Sequence, residues 1–406
     1  MKILMLGWEL PPFNSGGLGV ACYQMCKHLA RRNAEIDFVL PYETKEPLDF
    51  MRLLHALPNT GEQFVNMFGA YDGFCYSCVS SNCEHAYPTD LRGRQQRYVD
   101  FVEQQVQRED YDVIHAHDWL TFEAGVRAKQ LTGKPLIAHV HATEFDRAGN
   151  NAGNQLIHQI EYSALMMADA IIAVSQFTKN LIVARYGIPA GKIEVVHNAI
   201  DPAEFGTLDT HNAYRYLEEM KKLGYKVVVS LGRLSLQKGI DHLLQAASRV
   251  KQKDGKVLFL IVGDGEMREE LIEAAAEHGV AHNVIFTGFL RGKQWRDAYA
   301  IGDMFVMPSV SEPFGLSALE AAGYGNALLL SKQCGVGEVL RSAMQFDFWD
   351  TERLANAILT IAEHGSLQES LSTGAQYEVA HLTWDAAASK FEALYSRHVT
   401  PAGAAA

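Results

Sequence analysis

Residues 227–239 read Val-Val-Val-Ser-Leu-Gly-Arg-Leu-Ser-Leu-Gln-Lys-Gly. An unbroken β-branched run is the pattern of a strand buried on both faces. The glycine after it starts a turn, and the stretch past Gly239 has helical character, so Arg233 and Lys238 fall on a loop between a strand and a helix. The same strand–loop–helix unit recurs along the chain. Strand-like runs cover 3–6, 36–40, 113–117, 136–141, 171–174 and 193–197 in the first half, and 227–231, 257–262, 284–287, 304–307 and 327–330 in the second. Each series is long enough for its own doubly wound parallel sheet, which predicts an α/β protein of two domains.

Between the two series lies Asn198-Ala-Ile-Asp-Pro-Ala-Glu-Phe-Gly, a turn-rich segment that reads as a hinge. The expected limits are 1–203 for the first domain, 204–383 for the second, 384–399 for a terminal helix, and 400–406 for a disordered tail. A polar helix over Tyr214 to Leu223 opens the second domain. No repeat at solenoid spacing is present.

At 406 residues the chain exceeds what one hydrophobic core serves. Its formal charge of −12 is evenly spread: 17 basic against 23 acidic residues up to Ala203, and 19 against 25 after it. Neither half is a basic face for nucleic acid or anionic lipid. The cluster of Arg92, Arg94 and Arg97 reads as a solvated face. No apolar run is long enough to span a bilayer, and Met1-Lys-Ile-Leu-Met-Leu-Gly leads directly into a strand, so a cytoplasmic enzyme is expected. Six cysteines in a chain this long do not make a disulfide framework. Cys75, Cys78, Cys83 and His85 have a spacing able to hold a metal; free thiols beside a strand are the simpler reading.

Ligands of parallel α/β sheets sit beyond the carboxyl ends of the strands. After the first strand, Gly7-Trp-Glu-Leu-Pro-Pro-Phe-Asn-Ser-Gly-Gly-Leu-Gly leads to a helix expected near Val20. Gly16, Gly17 and Gly19 there allow backbone N–H groups to approach a phosphate. The spacing matches neither a dinucleotide fingerprint nor a Walker loop. Two strands end in His115-Ala-His117-Asp118-Trp and His139-Val-His141-Ala-Thr-Glu-Phe-Asp-Arg. Period two puts each histidine pair on one face of its strand. A divalent-metal hydrolase using these residues is one reading, and buried hydrogen-bonded histidines are the other.

In the second half, Arg233 and Lys238 beside a helix start suit a diphosphate leaving group. Phe259-Leu-Ile-Val-Gly-Asp-Gly-Glu266 and Thr287-Gly-Phe-Leu are turns compatible with a base-binding crevice. Then Ser309-Val-Ser-Glu-Pro-Phe-Gly-Leu-Ser-Ala-Leu-Glu-Ala-Ala-Gly places Glu312 before a helix and Glu320 two turns into it, with seven residues between them.

The acidic pair, the Gly-Arg-Leu-x-x-x-Lys-Gly stretch, the Gly-Gly-Leu-Gly loop and His-x-His-Asp-Trp together resemble the GT-B retaining glycosyltransferases, the superfamily of bacterial glycogen synthases, sucrose synthases and many mannosyl- and glucosyltransferases. The resemblance spans essentially the whole chain. It implies two Rossmann-like domains facing across a cleft, with the terminal helix crossing back to the first. It implies that Arg233 and Lys238 clamp the donor diphosphate, Glu312 holds the transferred sugar, and Glu320 binds the ribose. Phe314, Gly315 and Leu316 belong to the same donor-binding stretch, and Gly16 and Gly17 contact the diphosphate through backbone. His141 resembles the histidine near the sugar's C6 hydroxyl, its backbone carbonyl aiding an oxocarbenium-like transition state. Asp118 resembles an acidic residue on the acceptor side. No metal is required, since the cations do an ion's work.

The opening Gly-Trp-Glu-Leu-Pro-Pro-Phe and the His-Ala-Thr-Glu-Phe-Asp-Arg stretch look most like short glycogen-synthase-like α-glucan transferases. Where bacterial glycogen synthases carry Lys-Thr, this chain has Asn14-Ser15, which leaves UDP-glucose and ADP-glucose both open as donor. The expected acceptor is a glucan or oligosaccharide; transfer to a lipid or small molecule is the alternative, and a silent nucleotide-sugar binding protein is a third reading.

Overall fold

The computed structural model of the chain describes residues 1–14, 16–45, 47–58, 91–149, 152–201, 205, 212–253 and 256–399. The cluster of Cys75, Cys78, Cys83 and His85, residue Ser15, residues 202–204 and 206 of the expected hinge, and the 400–406 tail lie outside the described residues.

Two parallel sheets carry the fold. The first holds seven strands: β1 (Lys2–Leu6), β2 (Glu35–Leu40), β3 (Arg52–His55), β4 (Val113–His117), β5 (Leu136–Val140), β6 (Ala170–Ala173) and β7 (Ile193–Val195). Their order is β3-β2-β1-β4-β5-β6-β7. The second holds β8 (Lys226–Leu231), β9 (Val257–Val262), β10 (Val284–Phe286), β11 (Met304–Met307), β12 (Ala327–Ser331) and β13 (Ala343–Phe346), in the order β10-β9-β8-β11-β12-β13. Strands that read as unbroken apolar runs, such as β9, are buried along their whole length because helices cover both faces.

Two edge strands were not legible. β3, Arg-Leu-Leu-His, and β13, Ala-Met-Gln-Phe, are short and mostly only half-buried, and both pair along one side. An edge strand needs neither a long apolar run nor a covered face, so its sequence signal fades. The helices at Arg215–Lys222 and Trp384–His398 match the expected positions to within one or two residues. The first helix, Gly17–Arg31, begins three residues ahead of Val20, because Gly17 and Gly19 take helical conformation here.

The chain divides into two compact units. The first comprises Met1–Phe145, Asn151–Asn198 and Trp384–Ala406; the second comprises Asp146–Asn150 and Ala199–Thr383. Within the first, the terminal helix buries Trp384, Ala388, Phe391, Leu394 and Tyr395, and packs on the helix Gly17–Arg31. Burying each large side chain is worth about 1.5–3 kcal/mol, so Trp384, Phe391, Leu394 and Tyr395 hold the terminal helix to this unit. The second unit has its own core, in which Val228, Phe259, Val306 and Leu329 of the sheet meet Leu244 and Ile358 of flanking helices.

Candidate active site

Each sheet contains a point where the strand order reverses. β1 lies between β2 and β4, and β8 lies between β9 and β11. Helices following the strands on either side leave to opposite faces, so a crevice opens beyond the carboxyl ends at that point. The loops after β1 and β4 therefore flank one crevice, and the loops after β8 and β11 flank the other. All the residues singled out from these four loops sit at a switch point.

In the second unit, Lys238 and Glu312 come together. Lys238 Nζ donates to Glu312 Oε2 at 2.5 Å, and Ser309 Oγ donates to the same oxygen at 3.1 Å. Glu312 is buried, and its backbone is pinned by Glu312 N to the Gln333 carbonyl and by Gly335 N to the Glu312 carbonyl, both at 2.9 Å. Ser331 Oγ in turn donates to the Ser309 carbonyl at 2.6 Å. A carboxylate fixed this way is preorganised to accept hydrogen bonds from a ligand's hydroxyls. The adjoining Cys334 thiol is pushed up to about 12, first by burial and then by the Glu312 charge, and stays protonated.

Glycines let the backbones approach at this end of the sheet. A Cβ on Gly263, at φ +138°, would lie 1.8 Å from the Gly232 carbonyl oxygen. One on Gly239, at φ +61°, would lie 2.3 Å from the Pro308 carbonyl oxygen, so the β8 loop and the β11 loop can touch only with glycine there. Arg233 Nε pairs with Glu266 Oε2 at 3.1 Å. Phe314 is buried, with its carbonyl accepting from Val336 N at 2.7 Å. Gly315, at φ +111°, caps the helix that Leu316 opens. Glu320 lies within that helix, where its Oε2 accepts from the Tyr299 hydroxyl at 2.7 Å. Tyr299 is fully buried, and its hydroxyl is held well above the usual tyrosine range by burial first and by the neighbouring Glu320 carboxylate second.

In the first unit, Gly16 caps the helix Gly17–Arg31 without a side-chain partner, and no acidic residue occupies the first turn. Asn14 Nδ2 donates to the Gly16 carbonyl at 2.9 Å, shaping the approach to the helix start. Asp118 has φ 56°, a left-handed conformation that costs a non-glycine residue about 1–3 kcal/mol. Its Oδ1 accepts from His141 N at 2.7 Å and from Ala142 N at 3.3 Å, so the strain is offset by fixing the backbone after β5. The Asp118 side chain is thus placed to position His141.

His115, His117, His139 and His141 form one buried cluster. β4 and β5 pair with His117 opposite His139, which brings both histidine pairs to the same side of the sheet. His117 Nδ1 lies 3.0 Å from His141 Nε2, and His117 Nε2 lies 3.1 Å from Met5 Sδ. His115 Nε2 lies 3.2 Å from His139 Nδ1, while His115 Nδ1 lies 2.6 Å from the Tyr395 hydroxyl of the terminal helix. Burial drives His141 down to about 3; burial first and the His141 charge second drive His115 down to about 3. Burial also lowers His117 and His139 well below the ordinary value. All four are neutral in the folded protein.

Two family models match the chain: "Glycosyltransferase Family 4" over residues 15–204 and "Glycosyl transferases group 1" over residues 218–377. The chain is 30% identical over 353 residues to the glycosyltransferase MJ1607 of Methanocaldococcus jannaschii, covering 84% of this chain and 83% of that protein. The chain belongs to the glycosyltransferases. It is also 26% identical over 359 residues to a glycogen synthase of Mycobacterium tuberculosis, covering 84% of this glycosyltransferase and 80% of the relative. Among solved structures, that of Anabaena HepE in complex with UDP and glucose matches with a TM-score of 0.73 at 19% identity, over 98% of this chain and all of HepE. The likeness establishes the GT-B fold.

Within this glycosyltransferase the histidine rings stack along each strand and hydrogen-bond across the strands. His115 and His117 stack at 4.5 Å and 21°, and His139 and His141 at 4.1 Å and 27°. A metal bonds in the plane of each imidazole, and two near-parallel stacked planes do not meet at one ion. Candidate ligand atoms of His115, His117 and His139 do lie within 4.8 Å of one another, yet all three residues are buried, whereas a hydrolytic metal keeps an open position for water. The hydrolase reading gains nothing from this geometry. No described helix of the glycosyltransferase is long and apolar enough to cross a membrane. Three contributors escaped the sequence reading: Ser309, Glu266 and Met5. Glu266 closes the Gly-Asp-Gly-Glu turn, so its position was visible, but its pairing with Arg233 depends on β8 and β9 lying side by side.

Proposed function

We propose that this glycosyltransferase is a retaining hexosyltransferase that moves glucose from UDP-glucose or ADP-glucose to a glucan or oligosaccharide. The observation that carries the reading is the Lys238–Glu312–Ser309 contact at the switch point of the second unit. It joins a cation able to neutralise a departing diphosphate to a fixed carboxylate able to hold sugar hydroxyls. In this reading residues 1–203 form the acceptor-side domain, and residues 204–383 bind the donor. The helix from 384 ties the chain back to the first domain. Arg233 and Lys238 clamp the diphosphate, with Arg233 exchanging Glu266 for phosphate oxygens. Glu312 holds the hexose and Glu320 the ribose, while Phe314, Gly315 and Leu316 shape the turn between them. Gly16 and Gly17 offer backbone N–H groups at a helix start that has no side-chain cap, and Asp118 holds His141 beside the sugar. No metal ion is assigned to the reaction.

The glycogen synthase relative and the bound UDP and glucose of HepE support glucose as the transferred sugar. Two measurements test the reading. Thermal shift with UDP-glucose, ADP-glucose and GDP-mannose identifies the donor, since a ligand at a hundred times its Kd adds about 2.7 kcal/mol of stability. With that donor, Glu312→Ala and Lys238→Ala each abolish transfer while circular dichroism stays unchanged. Near-normal turnover in either variant overturns the site.

A further inference from the structure

Cys22, His117 and His141 form a ligand-rich group wholly inside the first unit. The Cys22 sulfur and one ring nitrogen from each histidine lie within 4.8 Å of one another, and all three residues are buried. They come from three elements: Cys22 from the helix Gly17–Arg31, His117 from the end of β4, and His141 from just past β5. The two rings do not stack. They are tilted by 41° and meet nitrogen to nitrogen, with Nδ1 of His117 standing 3.0 Å from Nε2 of His141. Two imidazole nitrogens bound to one tetrahedral zinc stand about 3.3 Å apart, so the pair is already near bridging distance. A thiolate sulfur in the same shell stands about 3.6 Å from each nitrogen, so the Cys22 sulfur, within 4.8 Å, closes the set by moving no more than about 1.2 Å.

The surroundings suit a cation. His117 Nε2 stands 3.1 Å from Met5 Sδ; a thioether has no proton to give, so this nitrogen carries the N–H and Nδ1 keeps its lone pair for a ligand bond. Ligating histidines are oriented by such a bond from the other ring nitrogen. Asp118 accepts from His141 N at 2.7 Å and so fixes the backbone of the third ligand. Asp118 and Glu9 are buried, and their charges act on Cys22. A divalent ion bound to one thiolate keeps a single positive charge, which these nearby carboxylates offset.

We propose that Cys22, His117 and His141 form a zinc site of the first unit, which takes one Zn²⁺ through a sulfur and two imidazole nitrogens and ties the first helix to β4 and to the end of β5. Thiolate and imidazole ligands select such a borderline cation over Mg²⁺ and Ca²⁺, which prefer oxygen. On binding, the Cys22 thiol releases its proton to solvent as the Zn–S bond forms. The proton on His141 Nε2 that faces His117 moves to His141 Nδ1, so both imidazoles stay neutral. His115, His117 and His139 also lie close together, but His115 stacks on His117 at 4.5 Å and 21°, and the in-plane lone pairs of those two rings do not converge. The assignment is of a binding site, and it holds whether or not His141 serves the transfer.

The test uses the full chain, reduced and freed of metal with EDTA, titrated with Co²⁺ and then Zn²⁺. Because Cys75, Cys78, Cys83 and His85 have a metal-like spacing of their own, the titration is run on a chain carrying Cys75→Ser, Cys78→Ser and Cys83→Ser as well as on the wild type. One Co²⁺ per chain is expected in this triple variant, with a sulfur-to-cobalt charge-transfer band that Zn²⁺ removes by displacement. Adding Cys22→Ser is expected to abolish the band and to weaken Zn²⁺ binding by about a hundredfold or more, while Met5→Leu, which takes away the acceptor of the His117 N–H, weakens it about tenfold. His139→Leu, which removes a ligand of the alternative group, leaves band and affinity unchanged. No band in the folded triple variant, a band that survives Cys22→Ser, or one lost in a folded His139→Leu overturns the inference. The wild-type chain labelled with ¹⁵N-histidine gives a check that needs no substitution: bound ¹¹³Cd²⁺ is expected to couple to His117 Nδ1 and His141 Nε2. Coupling to other histidines alone, or to none, also overturns it.

Discussion

Acidification should unfold the first unit well before ordinary carboxylate titration does, and the four buried histidines set the size of the effect. Their ordinary value is 6.5, while in the fold His115 and His141 lie near 3 and the other two are lowered in the same direction. Above pH 6.5 neither the folded nor the unfolded chain binds protons on these rings, so their contribution is fully present. As pH falls from 6.5 toward 3, the unfolded chain takes up protons that the folded chain refuses, and stability is lost. Each unit of pH is worth about 1.4 kcal/mol per group. Between pH 6.5 and pH 5, His115 and His141 alone therefore remove on the order of 4 kcal/mol, a large share of the roughly 5–15 kcal/mol that holds a domain. Urea unfolding at pH 7, 6, 5.5 and 5, with proton uptake measured by calorimetry in buffers of different ionisation enthalpy, reads the effect directly. His139→Leu removes one titrating ring and the buried Nε2 that has no hydrogen-bond partner. It should lower the slope of stability against pH by about 1 kcal/mol per unit between pH 6 and 5. Parallel slopes for the wild type and this variant would refute the reasoning.

Two further predictions concern the second unit. Gly263→Ala drives a methyl into the Gly232 carbonyl and should cost about 3 kcal/mol or more in chemical unfolding. Gly279→Ala, at φ +68° with nothing within 4 Å, should cost only the backbone strain of about 1–2 kcal/mol, and equal losses would show that crowding is not the cause. Glu320→Ala leaves the buried Tyr299 hydroxyl without its 2.7 Å acceptor and should lower stability by about 1–3 kcal/mol as well as raising the donor KM. Glu320→Gln keeps an acceptor for Tyr299 and should raise KM with little loss of stability; a normal KM in this variant would remove Glu320 from the donor site.

Much of the fold was readable because parallel strands buried on both faces must be apolar throughout. Val227 to Leu231 and Val257 to Val262 could hardly be anything else. The edge strands β3 and β13 stayed hidden because one side of an edge needs no partner, and Arg52 and Gln345 are tolerated there. The helix Gly17–Arg31 starts three residues before the sequence signal at Val20, because glycine weakens the helical signal while tertiary packing still imposes the helix. The charged residues of the candidate site were legible from position after strands. Their pairings were not, since Lys238 with Glu312 joins residues 74 apart in sequence.

What the sequence by itself determined is the alternation of buried strands and amphipathic helices, and the concentration of glycine, histidine and charge just after the strands. These are local properties, dictated by which side chains tolerate burial and which backbones tolerate a turn. Only the tertiary structure decided that β1 lies between β2 and β4, and β8 between β9 and β11. That order brings Met5 to His117, gives His117 to His141, and seats Lys238 on Glu312. Strand order is a global outcome of packing both faces of each sheet. The protonation states of four histidines follow from it, because burial in a shared apolar layer is what keeps them uncharged.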